Sequence, residues 1–106
     1  RALALHHAHR QAPLRRARFR QIVRFAIEFY RCLLLSFADA LQTQDAVLAQ
    51  ATQEARSIWP GDATTVAACL DCCLETLGQI DRNVNQDIAI GCWLDDLGGT
   101  MLEAAC

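Results

Sequence analysis

With 106 residues, 53% of them apolar, and only five Gly and two Pro, the chain is long enough for one hydrophobic core and too apolar for a disordered tail. Its most apolar stretch, FAIEFYRCLLLSFADAL (residues 25–41), is broken by Glu28, Arg31 and Asp39. That excludes a membrane span, which needs roughly 20 nearly unbroken apolar residues. The net charge of -2 hides a division: residues 1–31 carry eight Arg and one acid, residues 32–106 carry two Arg and eleven acids, and Lys is absent. A chain polarised in this way can pack acid against base, internally or in an assembly, while a solvated face on a long helix is the main reading. Its Arg-rich residues 10–24 also suit phosphate. No secretory signal is present, so the expected location is cytoplasmic. Arg1 in place of Met suggests a piece of a longer chain.

Helix signals run nearly throughout, and no stretch alternates as a strand does. The expected fold is all-α, a compact bundle of four to five helices in a single domain, 1–106. RALALHHAHRQA (residues 1–12) reads as a short helix or arm limited by Pro13, which sets 1–13 apart from a bundle over 14–104. From Leu14 to about Gln42, apolar residues at 19, 22, 23, 26, 30, 33, 34, 37 and 41 are spaced as one helix stripe. Phe25, Phe29 and Cys32 form a second apolar line beside it. A helix apolar on two sides is either central in a bundle or turned toward a partner.

TQDAVLAQATQEARSIW (residues 43–59) continues as helix, capped by Thr43 or Asp45, with Val47, Leu48, Ala51, Ala55 and Ile58 inward. WPGD stops it. Asp62 then caps a helix over about 63–80 that buries Val66, Leu70, Cys73, Leu74, Leu77 and Ile80. In DRNVNQD, Asn83 ends this helix and Asn85 caps the last one, with Asp87 near its positive end. The last helix buries Ile90, Trp93, Leu94, Leu97 and Met101, and Gly98–Gly99 ends or bends it.

Six cysteines stand at 32, 69, 72, 73, 92 and 106. CLDCC (69–73) contains one C-x-x-C, but a structural zinc site usually takes two such pairs, and no second one exists. Reduced thiols packed as small hydrophobes are the main reading, and metal binding or thiol redox chemistry on Cys69, Cys72 and Cys73 the alternative. His6 and His9 share a helix face, but terminal histidines are usually just exposed. Asp95 and Asp96 point about 100° apart on a helix and do not converge on one atom. No phosphate loop, nucleophile elbow or HExxH is present. The expectation is a non-catalytic domain with no cofactor, no metal, no small-molecule substrate and no membrane partner.

NVNQDIAIGCWLDDL, following a helix that ends near a charged residue, resembles the last two helices of bacterial DNA polymerase III clamp-loader subunits, where an N-x-N turn leads into a Leu-rich final helix. FAIEFYRCLLLSFADALQTQD is similar to the long apolar helix and polar turn of that family, and residues 48–85 have its spacing of short helix, turn, longer helix and Asn turn. The resemblance covers about residues 19–97, with delta-prime the nearest subunit. Gly91, Cys92 and Gly98–Gly99 depart from the pattern, and the Arg-rich start has no counterpart in it. The resemblance implies an oligomerisation (collar) domain that packs against other clamp-loader subunits, helps to load the sliding clamp in DNA replication and meets DNA only through the assembly. The ATP site and arginine finger of such subunits lie in other domains. Phe25, Phe29 and Cys32 are then the subunit-interface candidates, and Asp62 and Asn85 the helix caps.

Overall fold

The computed structural model describes residues 2–82 and 85–105, and side chains from 13 to 82 and from 85 to 104. Four helices make up the fold: α1 (Ala2–Phe37), α2 (Ala46–Ile58), α3 (Ala63–Asp81) and α4 (Gln86–Ala105). No strand occurs among the described residues. No helix there is long and apolar enough to cross a membrane.

At about 1.5 Å per residue, the 36 residues of α1 span about 54 Å, which is the long dimension of the molecule, 55 Å. α1 is therefore the spine. α2 and α3 pack on it, and α4 packs on α3. None of these three exceeds 20 residues, about 30 Å, so none can cover the spine along its whole length.

The expected boundary at Pro13 is overturned: α1 runs through it. The ring removes one hydrogen bond of the ladder, but Ala12, Leu14, Arg15, Arg16 and Ala17 around it are good helix formers and carry the helix across. At the other end α1 stops at Phe37 rather than near Gln42. Asp39 takes the left-handed conformation (φ 54°). The Ala40 N–H then donates to the Leu35 carbonyl (2.9 Å) and the Asp39 N–H to the Ser36 carbonyl (3.2 Å), which satisfies the last carbonyls of the helix.

The other helix ends are fixed by side chains. The Asp45 carboxylate accepts from the Leu48 N–H at 3.0 Å, and Asp62 accepts from Thr64 and Thr65 at 3.0 and 3.3 Å. The Asn85 side-chain oxygen accepts from Ile88 at 3.2 Å. Each such cap is worth about 1 kcal/mol. Gly61 is needed in the turn before α3, because a Cβ there would meet the Thr65 side chain and come within 3.0 Å of the Ala104 Cβ on α4.

One end of the core joins α1, α3 and α4: Phe19, Val23, Cys73, Ile80, Ala89 and Trp93. Phe19 and Trp93 meet at 5.9 Å between ring centroids. At the other end Cys32, Leu33, Leu48, Thr52, Val66 and Cys69 are buried. Several inward assignments are corrected. Val47 and Ile58 of α2 are 77% and 80% exposed, and Leu48 and Thr52 are buried instead. Thr52 fits inside because its hydroxyl donates to the Leu48 carbonyl at 2.7 Å, and its small size lets α2 approach α1 closely. Leu74, Leu94 and Met101 also face outward, while Cys69, Thr76 and Ala89 take inward places. Leu70, Leu77, Ile90 and Leu97 are half-buried.

Candidate assembly surface

The three interface candidates on α1 lie in different environments. Phe25 is 64% exposed, Phe29 is half-buried against the edge of Tyr30, and Cys32 is only 1% exposed. Cys32 is therefore not an interface residue. The reason is the length of α2. Phe25, Phe29 and Cys32 follow one line along α1, and α2 packs over the downstream part of it, where Asp45 at its start lies near Cys32. Upstream the line is open. Leu14 and Ile22, on the same outer face, are exposed, and Arg18, Gln21, Ile22 and Phe25 line a shallow depression in the surface.

A second apolar face lies on α4. Ala89, Trp93 and Leu97 point inward, and Ile88, Leu94 and Leu102 point out. Gly91, Gly98 and Gly99 are exposed, and a Cβ at any of them would meet nothing within 4 Å. Among the described residues no packing requires them to be small.

Charge divides the two faces. Arg15 and Arg20 of α1 pair with Asp87 and Asp81 at 3.4 and 3.0 Å, tying the spine to the α3–α4 corner. Among the described residues no ion pair engages Arg18 or Arg24, nor Asp95, Asp96 or Glu103. All five are exposed. The outer face of α1 is thus apolar with free cations, and that of α4 is apolar with free carboxylates.

Cys32, Cys69 and Cys73 are buried in the packing, Cys72 is half-buried and Cys92 is exposed. Burial pushes Cys69 up to about 11, with Cys72 and Cys73 adding to it, and burial also raises Cys32, Cys72 and Cys73 above the ordinary thiol range. A nucleophilic or metal-binding cysteine needs the opposite shift. Cys73 accepts a hydrogen bond from the Trp93 indole N–H at 3.3 Å, which satisfies a buried donor. Among the described residues no three His, Cys, Asp or Glu side chains gather as metal ligands would. Tyr30, beside Trp59 at 6.3 Å, is pushed up to about 12 by burial and by the neighbouring thiols. The Trp59 indole N–H is buried without an acceptor among the described residues. Asp62 and Asn85 serve the helix starts and line no common site. Asn83, Cys106 and the side chains of His6, His7 and His9 lie outside the described residues.

Sequence reasoning missed the α4 face, because Leu94 and Met101 read as core and the glycines as a helix end. The signal was present in Ile88, Gly91, Asp95, Gly98 and Leu102, which recur at helical spacing opposite Ala89 and Trp93. Comparison with models of known protein families, with characterised protein sequences and with solved structures returned no match.

Proposed function

We propose that the chain is a non-catalytic assembly domain, joining protein subunits through helix faces that its own fold leaves uncovered. The observation that carries this reading is the open apolar line of α1, Leu14, Ile22 and Phe25, directly upstream of the part that α2 covers. Contiguous exposed apolar surface of this kind marks interaction sites in folded proteins. The resemblance over residues 19–97 names the assembly: the collar of a bacterial DNA polymerase III clamp loader, with delta-prime the nearest subunit. In that role the domain holds its subunit beside its neighbours while the machine loads a sliding clamp, and it meets DNA only through the assembly. Metal or thiol redox chemistry has less support, since burial raises the thiols and Cys73 is engaged by Trp93.

The test is co-expression with the gamma and delta clamp-loader subunits of the same organism. Co-purification in fixed stoichiometry is expected, and Phe25→Asp weakens it about tenfold or more while the helical circular dichroism stays unchanged. A folded chain that binds none of these subunits removes the clamp-loader reading.

A further inference from the structure

The outer faces of α1 and α4 match in size, charge and register. At 100° per residue, Leu14, Arg18, Ile22 and Phe25 fall within an arc of about 80° on α1. Ile88, Gly91, Asp95, Gly99 and Leu102 fall within an arc of about 80° on α4. Arg18 stands four residues from Leu14 on one side and four from Ile22 on the other; Asp95 stands four residues from Gly91 and four from Gly99. When Arg18 is set opposite Asp95, the two bulky aliphatic side chains meet the two glycines, whichever way the helices run. Phe25 then meets Leu102 in one direction and Ile88 in the other. The glycines supply space that nothing among the described residues fills. In a helix interior each is less stabilising than Ala. Arg18 and Asp95 each lack an ion-pair partner among the described residues.

We propose that these faces bind one another between copies of this chain, the α1 stripe of one protomer seating on the α4 stripe of the next. The inference rests on the assembly-domain reading and names the partner as a second copy. Charge complementarity selects that partner. The α1 stripe carries Arg18, with Arg24 beside it; the α4 stripe carries Asp95, with Asp96 and Glu103 beside it. Stripes of one kind repel each other and stripes of opposite kind attract. The contact joins two different surfaces, so repetition gives a closed ring or an open row.

Sedimentation velocity on the full chain tests this. The average mass is expected to rise with protein concentration and to fall as salt is raised from about 0.05 to about 0.5 M. Arg18→Asp alone and Asp95→Arg alone each weaken association about tenfold or more, because each sets like charges opposite each other. An equimolar mixture of the two variants regains it, since one supplies an intact α1 face and the other an intact α4 face. The double variant in one chain regains it as well. Gly91→Leu also blocks association, and its melting temperature does not fall, because the added side chain enters open space. A chain that stays monomeric yet binds clamp-loader subunits overturns this inference and leaves the assembly reading standing. A chain that does neither overturns both. Self-association untouched by Arg18→Asp and Gly91→Leu uses another surface and overturns the inference alone.

Discussion

The two halves of α1 carry the same apolar pattern and meet different fates. From Tyr30 to Phe37 the spine is flanked on two sides: α3 lies along one face, and α2 packs over another, with the Arg56 guanidinium over the Phe37 ring at 4.0 Å. From Leu14 to Phe25 only the inner face is covered, through Phe19 and Val23. Periodicity reports which residues share a direction along a helix. It does not report whether another element is long enough to reach them. The difference between the halves is set by the 13 residues of α2, a property of a different segment.

Three measurements break or sharpen that contrast. The largest effect is expected from Leu33→Ala, a fully buried side chain in the covered half, at about 2–5 kcal/mol by urea denaturation. Phe25→Ala in the open half should cost well under about 1 kcal/mol in the same assay. Equal losses would mean that Phe25 is core and that no face of α1 is open. A second effect appears at alkaline pH under reducing conditions. Cys69, Cys32, Cys73 and Tyr30 all have raised values in the folded state, so the folded chain holds these protons more tightly than the unfolded one. The Cys69 contribution is full below the ordinary thiol value of 9.0 and is lost as pH rises toward about 11, where Cys69 ionises in the fold, and that of Tyr30 is lost higher, toward about 12. The urea midpoint should therefore hold steady to about pH 8.5 and then decline, and Cys69→Ala should flatten the decline. A profile level to pH 10.5 would contradict the burial of these groups. An effect smaller than that of Leu33→Ala is expected from Asp62→Ala, which removes an acceptor from two backbone N–H groups and should cost about 1 kcal/mol. A loss within error would show that water serves the start of α3 equally well.

The helical class, the α1 stripe and the residues at the helix starts were legible because each rests on local chemistry. A carboxylate or amide just before an apolar run reaches free N–H groups whatever the rest of the chain does. The phase of the shorter helices was not legible in the same way. In α2, Val47 and Ile58 are the large apolar residues and Thr52 is polar, yet Thr52 is inside. Its hydroxyl is satisfied within its own helix, so the choice fell to whichever face let α2 sit closest to α1. In α3 the buried arc is wide because two helices cover it, and Cys69 and Thr76 take places that Leu74 was expected to fill. The end of α1 at Phe37 depended on Asp39 adopting a conformation more usual for glycine, which sequence does not announce. The interface line was half legible: Phe25 stands open, whereas Cys32 was lost to a helix whose reach sequence leaves unstated.

The two tryptophans stand at two different places along the spine. Trp59 stands against Tyr30 where α1 meets the turn after α2, and Trp93 rests on Phe19 with its indole N–H on the Cys73 sulfur. Each is thus a built-in optical probe of a different neighbourhood. With one replaced by Phe at a time, fluorescence would follow the Phe19 and Tyr30 neighbourhoods of the spine separately during unfolding. It would also tell whether they let go together or in turn.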